Sequence, residues 1–276
     1  MILLGKLGYM ITGDLTSKES VSRGHEQSVF NSMGGYTSRQ VAVWRSPRVW
    51  SVGWDLADLH ATGGVRALLD AYGPGPFQFR PMQAASLNLL TPEAASLDPR
   101  GTDFNGGVAS LGPVVAADGV VLHRQVTSPS ASSTFLGRRT SGDWILTPLR
   151  AGKRVTASVY ARGSQARLQV IWTDAAGAWV GTPSLSPVGA GSDGEYRRLA
   201  VSATPPAGAV AVRLAVASCT GAAQAALTET PDVKPWAPGE GVAQVSISQA
   251  ASTDLAAAWG GVNLGGLSIQ ITEDMV

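Results

Sequence analysis

Three segments of the chain alternate apolar and polar residues at strict strand period, and they leave little room for helix in its central part. "RVTASVYAR" places Val155, Ala157, Val159 and Ala161 on one face and Thr156, Ser158, Tyr160 and Arg162 on the other. "ARLQVIW" groups Leu168, Val170 and Trp172, and "VAVRLAV" groups Val210, Val212, Leu214 and Val216. Between them "TDAAGAW" reads as a hairpin loop and "ATPPAGA" as a turn blocked by proline. Short alternating strands separated by frequent turn signals predict an antiparallel β-sandwich of roughly 150 residues, covering 85–235.

The flanking segments have a different character. "VAVWRSPRVWSVGW" holds two β-like runs around Pro47, which breaks any ladder and suits a turn, and Trp50, Val52 and Trp54 share a face. Val65, Leu68, Leu69 and Tyr72 then fall at i, i+3, i+4 and i+7, an amphipathic helix with Thr62 as candidate N-cap, Gly73 as its end and Pro74 as its stop. "PFQFR" returns to strand with Phe77 and Phe79 together, and "NLLTP" leads out of this mixed region. After the Pro and Gly cluster "KPWAPGEG", "VAQVSISQ" and "LSIQIT" give two more alternating strands. Two strands are marginal alone, so they are expected to complete a sheet begun by the first segment. The expected fold is therefore mainly β: a discontinuous, β-rich α+β domain with one amphipathic helix, made of 1–84 and 236–276, with the sandwich of 85–235 inserted.

Charge and cysteine count narrow the function classes. The 21 Lys and Arg nearly balance the 20 Asp and Glu, so the net charge of +1 draws the chain neither to nucleic acid nor to an anionic membrane. The single Cys219 forms no internal disulfide and reads as a buried, inert thiol. "MILLGKLGYMITG" has too short an apolar run, broken by Lys6, for a signal peptide, and no stretch of about 18 apolar residues predicts membrane insertion. Folding in a cytoplasm is expected.

Catalytic signatures are missing. His25, His60 and His123 lack metal-ligand spacing, and no Walker loop, GxSxG elbow or GxGxxG follows a strand. Paired carboxylates for glycoside hydrolysis stay open among Asp143, Asp174, Asp193 and Glu195, most of them in turn-like contexts, and no enzymatic role is expected. No cofactor is expected either. A structural calcium in the sandwich has no fixed-spacing loop behind it.

Trp50 and Trp54 read as core or subunit interface, with ligand binding as the alternative, and Trp172 reads as core. Tyr160 differs because it lies on the polar face of its strand. With Arg167 and Gln169 from the next strand, and Arg213 between Ala211 and Ala215, it outlines an aromatic platform with hydrogen-bond donors, and Trp179 after the hairpin tip is a second aromatic candidate. Such a surface suits a sugar, whose apolar face stacks on a ring while its hydroxyls meet polar partners. The competing reading is a solvated sheet face carrying no ligand.

The series "VAVWRSPRVWSVGW", "VRALLDAYGPGPFQF" and "NLLTP" resembles the amino-terminal part of distal tail or minor tail proteins of long-tailed actinobacteriophages. "ILTPLRAGKRVTASVYARG", "VIWTDAAGAWV" and "YRRLAVSATPPAGAVAVRLAV" resemble a carbohydrate-binding-module jelly roll. The first resemblance implies a virion protein at the tail tip, forming a ring, commonly a hexamer of itself, between the tail tube protein and the tip or baseplate hub proteins. The aromatic residues of 41–80 would supply its apolar ring contacts. The second implies binding to host cell-wall polysaccharide. A chain that binds polysaccharide at the periphery of the tail without closing the tube is the alternative. The sequence departs from many such tail proteins in inserting the outer domain rather than carrying it at the carboxy terminus.

Overall fold

The computed structural model describes residues 2–13, 17–22, 25–31, 37–98, 102–103, 108–127, 134–136, 144–189, 194–254 and 264–274. Along the chain the first strands are β1 (Ile2–Lys6), β2 (Tyr9–Gly13), β3 (Ser17–Ser22), β4 (His25–Asn31), β5 (Thr37–Arg45) and β6 (Val49–Asp58). Helix α1 (Leu59–Tyr72), strand β7 (Phe77–Arg80), a 3-10 turn at Met82–Ala85 and the short helix α2 (Pro92–Ala95) follow. Then come β8 (Thr102–Asp103), β9 (Val108–Val115), β10 (Val121–Thr127), β11 (Thr134–Leu136), β12 (Thr147–Pro148), β13 (Val155–Arg162) and β14 (Arg167–Thr173). The last are β15 (Ser184–Leu185), β16 (Arg197–Ala203), β17 (Ala211–Ala217), β18 (Gly221–Thr228), β19 (Val242–Asp254) and β20 (Leu264–Glu273). The fold is mainly β, with antiparallel sheets.

Two compact units share the chain: one comprises 1–5, 11–77 and 244–276, the other 6–10 and 78–243. The first carries most of a seven-stranded sheet of order β2-β1-β7-β19-β20-β6-β3, in which the late strands β19 and β20 sit between β7 and β6. The alternation in "VAQVSISQ" and "LSIQIT" therefore finds its partners in the amino-terminal segment. Trp50, Val52, Ile269 and Ile271 are buried on one face, with Ile269 opposite Val52 and Ile271 opposite Trp50. A buried ion pair closes this seam: Arg48 Nε donates to Glu273 Oε2 at 3.1 Å and Nη2 to Oε1 at 3.2 Å, while the Glu273 amide donates to the Arg48 carbonyl at 2.9 Å.

Several expectations for this region are corrected. Helix α1 starts at Leu59, directly after β6, so Thr62 lies inside it and is no N-cap. Val65 and Leu68 are buried but Tyr72 is 47% exposed, so the apolar stripe ends before the last turn. Gly73 does end the helix, with φ +64° and its amide donating to the Leu69 carbonyl at 2.7 Å. "MILLGKLGYMITG" forms the two strands β1 and β2 around Leu7 and Gly8, whose φ of +84° suits glycine in the turn. Trp50, Phe77 and Phe79 are all at most 1% exposed within the single chain, so they fill the core and are not available as ring contacts.

The second unit is the sandwich, a five-stranded sheet of order β16-β13-β18-β10-β9 and a six-stranded sheet of order β15-β14-β17-β11-β8. One core joins them: Val155, Ala157, Val159 and Ala161 of β13 and Leu227 of β18 meet Leu168, Val170 and Trp172 of β14 and Val212, Leu214 and Val216 of β17. Cys219 is buried in the same core as a free thiol. Helix α2 joins it with Ala94 and Ala95, and Thr91 caps the helix by accepting from the Ala94 amide at 3.2 Å, with Pro92 at its first position. The division between units falls at 77/78 because Gln78 and Arg80 bond into the sandwich, Gln78 Nε2 donating to the Leu146 carbonyl and Arg80 Nη1 to Glu229 Oε1. No described helix is long and apolar enough to cross a membrane.

Candidate functional site

Strand β14 turns Leu168, Val170 and Trp172 into the core, which leaves Arg167, Gln169, Ile171 and Thr173 on the outer face of the six-stranded sheet. Register sets Ile171 beside Arg213 of β17, Thr173 beside Ala211, and Gln169 between Ala215 and Leu185. An outer face is ordinarily wet, yet Ile171, Thr173 and Arg213 are at most 6% exposed. Two indoles contribute to that cover. The Arg213 guanidinium lies 4.0 Å from the ring centroid of Trp144 and 5.5 Å from that of Trp179. Trp144 reaches this place because β12, just after it, pairs with β17 through Thr147 opposite Val212 and Pro148 opposite Ala211.

The hairpin tip that carries Trp179 is tightly specified. Asp174 Oδ1 accepts from the amides of Ala176 and Ala178 at 2.9 Å each, and the Asp174 amide donates to the Ala178 carbonyl at 3.0 Å. Gly177 takes φ +81°, and a bridge pairs Thr173 with Trp179. The ring is thus held at the edge of the sheet while 59% exposed, beside Trp144 at 36%. Cation–π contact of this kind contributes about 0.5–2 kcal/mol and fixes ring orientation without covering the second ring face. Arg167 is exposed and Gln169 half-buried on the same sheet face, next to Leu185 at 45%. Arg167, Gln169, Arg213 and Trp179 of the expected platform are therefore brought to one face, and Trp144, missed in the sequence, joins them.

Tyr160 does not belong to this face. Its strand lies in the other sheet, and its side chain is 2% exposed in a small cluster with Ala116, Leu122, Tyr196 and Ala223. The alternation placed it correctly on the outer side of β13, but the β9–β10 hairpin folds over that side, and the Tyr160 hydroxyl donates to Asp118 Oδ2 at 2.8 Å. Burial first, and then the Asp118 carboxylate it donates to, push its phenol up to about 12. The stability this contributes is complete below the ordinary phenol value of 10.0 and is lost as pH rises through about 12. Tyr160→Phe is expected to lower the sandwich's stability by about 1 kcal/mol in denaturant melts. Its polysaccharide binding should not change.

Asp174 serves its own turn, and Glu195 is exposed and paired with Arg197 at 3.2 Å. Among the described residues no group of three His, Cys, Asp or Glu is placed to hold a metal ion. Asp143 and Asp193, and the side chains of His25, His60 and Trp54, lie outside the described residues.

No family model matches the sequence, and no curated protein matches it. Among solved structures, the CBM22-1 and GH10 modules of Clostridium thermocellum endo-1,4-β-D-xylanase 10B complexed with xylohexaose are 14% identical, over 55% of this chain and 30% of that one, with a TM-score of 0.37. The enzymatically active domain of tailspike protein 4 of bacteriophage CBA120 is 12% identical, over 51% and 21%, with a TM-score of 0.36. An arabinose-bound GH51 α-L-arabinofuranosidase is 12% identical, over 54% and 27%, with a TM-score of 0.31. The chain spans less than a third of each of these structures, and likenesses at such TM-scores decide nothing about function.

Proposed function

We propose that the protein is a non-enzymatic component of a bacteriophage tail tip whose sandwich binds host cell-surface polysaccharide through the Trp144, Arg213 and Trp179 face. The observation that carries the sugar reading is Trp179, a large aromatic ring kept 59% exposed by a turn built to hold it there. Exposed indoles offer the flat apolar surface on which a pyranose stacks, and Arg167 and Gln169 supply donors for its hydroxyls on the same face. The tail placement is supported by the resemblance of residues 41–92 to distal tail proteins.

Trp179→Ala is expected to weaken binding to purified host-wall polysaccharide about two- to tenfold per site, the effect of losing one stacking platform. Titration calorimetry reads the affinity and a thermal melt confirms an unchanged fold. Unaltered affinity, or a collapse of the melting midpoint, counts against the assignment. Repetition around a ring would multiply a weak single-site affinity.

Within the tail, the first role is a ring subunit, commonly hexameric, between the tail tube protein and the tip or baseplate hub proteins, assembled in the host cytoplasm. A second reading, a peripheral polysaccharide-binding decoration that closes no ring, is favoured by the burial of Trp50, Phe77 and Phe79, three of the aromatic residues of 41–80 expected to supply ring contacts. The exposed apolar residues of the sandwich's edge strand β9, Val108 at 70%, Leu111 at 76% and Val115 at 65%, offer the ring another contact. Mass measurement in solution separates the two: a monomer at high concentration excludes a self-assembling ring.

A further inference from the structure

Among the described residues, six large apolar side chains stand exposed on one hairpin: Val108, Leu111, Val114 and Val115 of β9, Val120 at the end of the turn, and Val121 of β10. Apolar residues scattered singly over a surface need no explanation, whereas a contiguous group marks a contact. No charged residue occurs in 104–117, so this stretch has none of the lysines with which natural edge strands repel a neighbour. β9 is also the edge of the five-stranded sheet, paired with β10 on one side and with no described strand on the other. Such an edge presents a row of unpaired N–H and C=O groups. Its chemical complement is another extended backbone carrying apolar side chains.

The two edges of this sheet differ, and the difference selects the occupant. β16, at the far edge, carries Arg197 and Arg198, and Arg198 Nη2 donates to Ser158 Oγ at 3.1 Å and to the Lys234 carbonyl, so that edge strand is charged and tied to the segment after β18. Adding an apolar β9 there would desolvate these cations. The uncharged β9 finds its match in β9 of a second copy, which brings the same free ladder and the same exposed Val108, Leu111 and Val115, set antiparallel by a two-fold axis. Pro113 lacks an N–H, and the register with β10 shifts between Leu111 and Val114, so the regular part of the free edge is short and lies over 108–111. We infer that two copies of this chain associate through β9, joining their five-stranded sheets edge to edge into one continuous sheet. The pair consumes both β9 edges and ends in the charged β16 strands, so it stops at two. It does not depend on polysaccharide binding, and a ring assembled from such pairs would have dihedral rather than cyclic symmetry.

Sedimentation of the whole chain across roughly 1–300 µM, the range in which a small interface dissociates, should show a monomer giving way to a dimer. Over the same range, hydrogen exchange should slow at the amides of 108–111. Leu111→Lys sets a charge into the contact from each copy and should raise the dissociation constant at least about tenfold. Its melting midpoint should match that of the wild-type monomer, because the replaced side chain is 76% exposed. Val108→Lys, at a position 70% exposed, gives the same reading should the first variant fail to fold. A wild-type chain that stays monomeric throughout overturns the inference. So does an assembly whose mass both variants leave unchanged, or exchange that slows only outside β9; a ring through another surface would then still stand.

Discussion

Replacing Asn88 by Ala is expected to cost the sandwich about 3–5 kcal/mol, because one fully buried amide closes four hydrogen bonds, three of them to segments far away in the chain. Its Nδ2 donates to the carbonyls of Ala225 at 3.0 Å and Ala237 at 2.9 Å, and its Oδ1 accepts from the amides of Leu90 at 3.2 Å and Leu227 at 3.1 Å. Truncation leaves two buried amides and the Ala237 carbonyl without these partners, whereas the Ala225 carbonyl keeps the Trp236 indole N–H at 3.1 Å. The backbones approach closely at the same place. The Glu240 amide donates to the Asn88 carbonyl at 3.0 Å, and a methyl group on Gly241 would stand 2.0 Å from the Leu89 carbonyl oxygen. Asn88→Asp separates hydrogen bonding from volume: it retains both acceptor bonds but sets a carboxylate oxygen against two carbonyls, so it should be at least as damaging as Ala. Urea unfolding of the two variants checks this. A loss below about 1 kcal/mol for Asn88→Ala would mean that water restores the bonds, and the clasp would not be what holds these segments.

Periodicity made the strands legible and left their neighbours hidden. The alternation in 155–162, 167–173 and 211–217 identifies the inward residues of β13, β14 and β17, because side chains on a strand must alternate and the apolar set must be buried. It says nothing about which strand lies beside which. β13 and β14 follow one another in sequence but belong to different sheets, β13 between β16 and β18, β14 between β15 and β17. Tyr160 and Gln169 consequently face away from each other on opposite sides of the sandwich, and the platform expected from their proximity in sequence splits. Nor does an outward position guarantee solvent, as the hairpin carrying Asp118 over Tyr160 shows. Trp144 was invisible for the complementary reason. Its place beside Arg213 comes from the pairing of β12 with β17, a contact across about seventy residues that no local pattern encodes. The Asp174–Trp179 turn, by contrast, was legible, since Asp and Gly at those positions specify it locally.

Glu229→Gln is expected to lower stability by about 3 kcal/mol at neutral pH, the low end of the range for breaking a buried ion pair, because Arg150 keeps 27% of its side chain in water. The glutamate follows β18 and is 1% exposed in its side chain. Arg80 and Arg150 both donate to it, the latter through Nε and Nη2, which draws the end of β7 and the segment after β12 onto one carboxylate. Glutamine preserves the volume and one acceptor but removes the charge that both guanidinium groups face. Burial by itself raises the Glu229 carboxyl pKa; the hydrogen bonds and charges of Arg80 and Arg150 outweigh it and hold the group below its ordinary value of 4.5. A depressed folded value means that the native state binds this proton more weakly than the unfolded chain. The stabilisation is therefore complete above 4.5 and disappears as pH falls through the folded value. The difference between wild type and Glu229→Gln should accordingly be largest at neutral pH and close in acid, when the wild-type carboxyl takes up its proton. Denaturant midpoints of both proteins across that range read it directly. Parallel curves, with the gap unchanged in acid, would show that Glu229 contributes by shape alone and that its charge does not hold the two arginines.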